Sequence, residues 1–186
     1  MRFAMLPNTL SIFRIILTVP IVVAVLKEQY FLVLLLFTLA GITDALDGWI
    51  AKHYSLQSRL GSILDPTADK ILLTCTFVSL YWIGLLPLWV LMIIIARDLM
   101  IVAAAVGYFL GEMTSESDLL EPSLISKINT VLQILLVLYL ILAQFYIELK
   151  IWFEMVFIIV ATSTTLSGAD YTWLWVKRFI FQETKK

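Results

Sequence analysis

The chain has 186 residues, 61% of them hydrophobic and only 15% charged, with a formal net charge of −1. That is far more apolar than a water-soluble domain of this length, and without a basic stripe it excludes a nucleic-acid binder. The single cysteine, Cys75, excludes an intrachain disulfide and reads as inert filler of an apolar segment.

A helix needs about 20 apolar residues to cross a hydrocarbon core of roughly 30 Å. Six runs meet that length: 9–27, 31–52, 62–83, 87–111, 124–146 and 151–176. They predict an all-α integral membrane protein with six transmembrane helices, a single membrane domain over residues 1–186. Lipid enforces helices because every backbone polar group must be satisfied within its own segment. The opening MRFAMLPNTL is expected as a short interfacial segment, with Phe3, Met5 and Leu6 among the headgroups. It does not read as a cleaved signal, since the run after Arg14 is long and no small-residue cleavage site follows.

Polar residues interrupt the spans at helical spacing. Asn8, Ser11, Arg14 and Thr18 mark the first, and DALDGWIAK ends the second. The third opens with GSILDPTADK, and the fourth contains Arg97 and Asp98 before a GxxxG spacing at Gly107 and Gly111. The acidic stretch 112–121 reads as a solvated loop. Ser126, Asn129, Thr130 and Gln133 step along the fifth span beside Lys127, and Thr162, Thr165 and Asp170 lie on the sixth. Such stripes either hydrogen-bond neighbouring helices or line a cavity. His53, without partners, reads as an interfacial residue. Trp82, Trp89, Trp152, Trp173 and Trp175 near span ends read as headgroup anchors.

The basic residues orient the chain. With the N-terminus cytoplasmic, that side collects Arg2, Lys52, Arg59, Lys127, Lys177, Arg178, Lys185 and Lys186, leaving Lys27 and Lys150 opposite. Both termini are then expected inside, in a bacterial inner membrane.

The pattern that carries chemistry is DALDGWIAKHYSLQSRLGSILDPTAD, residues 44–69. On helices, Asp44 and Asp47 share one face, as do Asp65 and Asp69. Ala40, Gly48, Ala51, Gly61 and Ala68 surround them with small side chains. The short HYSLQSRL connection predicts antiparallel neighbours, with all four carboxylates near the same cytoplasmic end. One Asp at mid-membrane costs about 2.5–3.5 kcal/mol on insertion scales. Such a cluster persists if the acids are protonated, if Lys52, Lys70 or Arg97 pair them, or if cations occupy it. Cations are the better account. An all-oxygen set without Cys or His favours Mg²⁺ or Mn²⁺, and four carboxylates suit two ions, an arrangement that serves phosphoryl displacement.

The spacing D-x2-D-G-x2-A-K-x8-G-x3-D-x3-D resembles the signature of the CDP-alcohol phosphatidyltransferases, D-x2-D-G-x2-A-R-x8–9-G-x3-D-x3-D. The six-span layout resembles the family over nearly the whole chain. The resemblance implies that Asp44, Asp47, Asp65 and Asp69 hold a dinuclear metal site and that Asp69 is the base for the acceptor hydroxyl. It implies that Gly48 and Gly61, with the small Ala51, leave room for the cytidine and diphosphate of CDP-diacylglycerol. Asn8 and Lys52 are expected on the same donor side. Lys52 replaces the family's usual Arg, which keeps the charge and gives up the forked geometry.

LPNTLSIFRIILTVPIVV and DPTADKILL look like phosphatidylglycerophosphate synthases and CDP-diacylglycerol-dependent cardiolipin synthases alike, while EPSLISKINTVLQ leans towards the latter. The acceptor is thus glycerol-3-phosphate or phosphatidylglycerol. Arg14, Arg97 and Lys127 are the cations expected to meet its phosphate. A homodimer is expected by the same resemblance. The competing class is an ion-coupled transporter using the intramembrane aspartates, but no internal repeat of the kind transporters carry is visible.

Overall fold

The computed structural model describes residues 6–53, 61–107 and 124–183, with side chains over 13–43, 68–103, 124–170 and 172–173. Residues 1–5 of the expected interfacial segment, residues 54–60 of the HYSLQSRL connection, Gly111 and the 112–121 loop lie outside the described residues, while residues 6–10 of that segment belong to the first helix. What is described is helical: α1 (Leu6–Leu26), α2 (Tyr30–His53), α3 (Gly61–Trp82), α4 (Leu88–Gly107), α5 (Leu124–Leu142) and α6 (Phe153–Glu183). A 3₁₀ turn, Ile147–Trp152, leads into α6.

The predicted spans coincide with these helices apart from their ends. The fifth runs only to Leu142, where the ladder tightens: Gln144 N donates to Ile141 O at 3.1 Å and Phe145 N to Leu142 O at 3.0 Å. Gln144 Nε2 also takes up the Leu140 carbonyl at 3.0 Å, a side chain closing the helix end. Among the described residues two stretches, Leu124–Leu142 and Ile147–Asp170, are long and apolar enough to cross a membrane. Phe13–Leu26 and Tyr30–Thr43 are shorter apolar stretches.

The chain separates into two compact units, one of Met1–Pro87 with Val137–Glu148, the other of Leu88–Leu136 with Leu149–Lys186. In the first, α1 packs against both α2 and α3. The buried face of α1 runs through Arg14, Leu17, Thr18, Ile21, Ala24 and Val25, the three- and four-residue steps of one helical stripe. Helix α2 buries Val33, Phe37 and Ala40, and α3 buries Ala68, Leu72, Leu73, Phe77 and Leu80. Alanines at these positions let backbones approach closely. In the second unit α4 packs against α6, burying Val90, Leu91 and Ile94 on one and Phe157, Val160 and Ala161 on the other. The outward faces are apolar too: Phe13, Ile16 and Val19 on α1 and Phe31, Leu35 and Ile42 on α2 are exposed. Outward faces of this kind are covered by lipid or by other protein more often than by water.

Two helix ends use the same cap with different residues. At the end of α3, Gly84 N donates to Tyr81 O and Leu85 N to Leu80 O, with Gly84 at φ +78°. At the end of α1, Glu28 N donates to Val25 O and Gln29 N to Ala24 O, with Glu28 at φ +56°. Both are Schellman motifs, whose left-handed residue is ordinarily glycine. A side chain there costs about 1 kcal/mol, and the exposed 3.4 Å bond from Tyr30 Oη to Glu28 Oε2 offsets little of it. Glu28→Gly is therefore expected to stabilise the protein by about 1 kcal/mol. Gly84→Ala should cost a similar amount through backbone alone, since nothing lies within 4 Å of a Cβ there. Thermal unfolding of both variants in one detergent checks the opposite signs.

Candidate active site

The aspartate motif occupies the last third of α2 and the first turns of α3, both helical through the residues concerned. Helical geometry keeps Asp44 with Asp47 and Asp65 with Asp69 on shared faces, as the spacing predicts. The side chains of Asp44, Asp47, Gly48, Ala51, Lys52, Gly61 and Asp65, and of Asn8 on α1, lie outside the described residues. Asp69 is described. Its neighbour Ala68 is fully buried, and one residue on, about 100° around the helix, Asp69 stands at the edge of the packed face.

There it is met by Arg14. The guanidinium Nη1 donates to Asp69 Oδ1, an ion pair between α1 and α3. The two partners are unequally placed: the Arg14 side chain is 2% exposed and that of Asp69 40%. Thr18 Oγ1 donates to the Arg14 carbonyl at 3.0 Å, one turn along α1. Among the described residues no three carboxylates or imidazoles gather as a metal centre, because three of the four motif aspartates have no described side chain. The donor chemistry fits a hard divalent cation: carboxylates alone, no thiolate or imidazole.

In the second unit Arg97 of α4 is 3% exposed. Its Nη1 donates to Asp98 Oδ1 at 2.7 Å, and its Nη2 to Ser126 Oγ of α5 at 2.6 Å. Nε and Nη2 donate to Ser167 Oγ of α6 at 3.3 and 3.0 Å. The planar fork thus spans three helices, which an ammonium does not do. A Cβ on Gly168 would stand 3.8 Å from Arg97 Cγ, an ordinary van der Waals contact, so the clasp does not depend on glycine there.

The polar stripe of α5 divides. Ser126, Asn129 and Gln133 are buried, and Lys127 is exposed. Thr164 Oγ1 lies 2.9 Å from Asn129 Oδ1 and 2.7 Å from the Val160 carbonyl. A hydroxyl has one proton and serves one of them at a time. Turning the amide over gives Asn129 Nδ2, otherwise buried without a hydrogen-bond partner, an acceptor in that hydroxyl. The sequence pointed to Thr162 and Thr165 of α6, but the helix turns Thr164 and Ser167 inward instead. Thr162 and Thr165 return their hydroxyls to the Ile158 and Ala161 carbonyls at 2.7 and 2.8 Å. With Trp89, Ile158, Ala161 and Leu166 they line an open groove of about 330 Å³. With those hydroxyl protons spent on the helix backbone, the groove is a mostly apolar surface. Ser167 was missed because serine in an apolar helix carries no mark of its partner.

Comparison with known proteins bears on the same residues. The model of the family described as CDP-alcohol phosphatidyltransferase matches residues 4–166, a stretch that includes all four motif aspartates. The chain is 35% identical over 180 residues to the cardiolipin synthase (CMP-forming) of Homo sapiens, covering 89% of this chain and 60% of the human protein. It is 32% identical over 192 residues to the chloroplastic CDP-diacylglycerol–glycerol-3-phosphate 3-phosphatidyltransferase 1 of Oryza sativa, covering 91% of this chain and 56% of that one. A Bacillus subtilis CDP-diacylglycerol–glycerol-3-phosphate 3-phosphatidyltransferase is 29% identical over 145 residues, 74% of this chain and 69% of its own length. The chain thus spans well under two thirds of the human and rice relatives.

Proposed function

The chain belongs to the CDP-alcohol phosphatidyltransferase family, and from that membership we propose that it transfers a phosphatidyl group from CDP-diacylglycerol to a glycerol-containing acceptor, releasing CMP. The observation that carries the reading is Asp69: a partly exposed carboxylate in the first turns of α3 whose Oδ1 accepts from a buried guanidinium. A group that must take a proton from a substrate needs that combination of access and fixed direction. Phosphatidylglycerol, giving cardiolipin, is the preferred acceptor, supported by the human relative's name and by the EPSLISKINTVLQ segment. Glycerol-3-phosphate, giving phosphatidylglycerophosphate, is the other, supported by the rice and Bacillus names.

In this reading Asp69 accepts the proton of the acceptor hydroxyl. The freed oxygen attacks the phosphorus that bears diacylglycerol; the bridging P–O bond breaks, and CMP departs with the bonding pair. Lys52 faces the diphosphate, Gly48, Ala51 and Gly61 leave it space, and Asn8 lies on the donor side. Asp44, Asp47, Asp65 and Asp69 are the residues that would hold two Mg²⁺ or Mn²⁺ ions, which when bound supply charge neutralisation of the diphosphate and of the leaving group. Electrostatic positioning does most of the work of phosphoryl transfer, so few further groups are needed. Of the three cations, Lys127 is the exposed one where Arg14 and Arg97 are buried, which supports it as the partner of an acceptor phosphate.

The family match runs through both compact units, which supports one membrane domain with six spans. The apolar outward faces support a bilayer setting. We place both termini and the aspartates on the cytoplasmic side from the distribution of Lys and Arg, and expect a homodimer. The test is CMP release by purified protein with CDP-diacylglycerol and Mg²⁺ or Mn²⁺, with a chelator control. Phosphatidylglycerol, glycerol-3-phosphate, inositol phosphate and serine are offered separately. Metal-dependent release with phosphatidylglycerol is the expected result, and silence with all four overturns the reading.

A further inference from the structure

We propose that Arg14 is a positioning residue that acts through Asp69, and that it does not bind the acceptor; the inference rests on the reading of Asp69 as the base. A cation that recognises a substrate phosphate has to be reachable by it. Arg14 is not: its side chain is 2% exposed, on the same stripe as Leu17, Thr18 and Ile21, the face that α1 turns towards its helix neighbours. The member of the pair open to a reactant is the carboxylate, 40% exposed. The cation therefore lies beneath and the anion on top, joined through Nη1 and Oδ1.

That asymmetry sets what the contact does. An aspartate on a helix has two side-chain torsions, and its carboxylate swings freely unless an oxygen is tied down. Arg14 ties Oδ1, and arginine keeps its charge under all conditions a protein meets. The helix that carries it packs against α3, and the guanidinium itself is buried. With Oδ1 held, rotation of the carboxylate is restrained. Asp69 stays the group that touches the substrate. Arg14 decides where it points.

The experiment is steady-state CMP release by wild type, Arg14→Gln and Arg14→Lys, with the acceptor concentration varied and thermal unfolding followed in parallel. Misdirecting a reacting group by about 1 Å costs on the order of 10²-fold, so Arg14→Gln is expected to lose about that factor in kcat while the acceptor KM stays within about threefold. Arg14→Lys restores a cation opposite Oδ1 and should recover about tenfold of the loss, which a purely structural role would not tie to charge. A rise in acceptor KM at unchanged kcat in either variant overturns the inference and returns Arg14 to the acceptor. So does a kcat equal to that of wild type. Should Arg14→Gln fail to fold, the split between kcat and KM in Arg14→Lys decides alone. A silent wild type overturns the phosphatidyltransferase reading and this inference with it, whereas an active wild type confines any failure to Arg14.

Discussion

Asp69→Asn is expected to abolish turnover, lowering kcat by about 10³-fold within the 10²–10⁴ that a positioned base contributes. The substitution removes the proton acceptor and one of the four carboxylates that would hold metal, so metal binding should stay partly intact. The amide has the carboxylate's shape, and its oxygen still accepts from Arg14 Nη1, so the link between α1 and α3 survives without its full charge. Because Asp69 is 40% exposed, the change in stability should stay within about 1 kcal/mol, the usual worth of a partly solvated pair. Single-turnover CMP release set beside thermal unfolding separates the two effects. Wild-type turnover in this variant would remove Asp69 from the role of base and with it the centre of the proposed mechanism.

Arg97→Met should do the reverse, destabilising first and impairing catalysis only as a consequence. It deletes the donors that reach Asp98, Ser126 and Ser167 and leaves the buried Asp98 carboxylate without its Arg97 contact. Breaking a buried pair from one side costs about 3–5 kcal/mol. Replacing both partners with apolar residues is often close to neutral, so Arg97→Met with Asp98→Leu should recover most of the loss. Unfolding midpoints of the two variants in one detergent measure this. If Arg97→Met instead leaves the midpoint unchanged and raises the acceptor KM, the guanidinium serves the substrate and the three-helix network is incidental.

The contrast between these residues shows where reading the chain succeeds. The helices were legible because each apolar run is long and the breaks carry polar residues, as at Lys27, Glu28 and Gln29, or Gly and Pro, as at Gly84 and Pro87, so existence and type follow from composition, while ends slip by a few residues. The fifth span overshot because Ala143 and Gln144 look as helical as their neighbours. Only the Gln144 amide on the Leu140 carbonyl marks the stop. The caps divide in the same way. Gly84 announces a left-handed residue, whereas nothing in the letter Glu28 does.

From sequence, then, come the helical class, the order of elements, and a carboxylate motif whose residue types and gaps leave few chemistries open. Those are local properties, carried by residues three, four or nine apart. What sequence does not separate is Arg14, Arg97 and Lys127, which look alike as cations in or beside apolar runs. Their division into a buried partner of Asp69, a clasp across three helices and an exposed ammonium depends on which face each helix turns inward. Burial belongs to the packed assembly: rotating a helix by one residue, about 100°, exchanges an inward position for an outward one. The same rotation is why Thr164 and Ser167 enter the α4–α5–α6 polar contacts while Thr162 and Thr165, two residues away, line an apolar groove. Which charges are spent within the protein, and which remain for a substrate, was decided only when the helices packed.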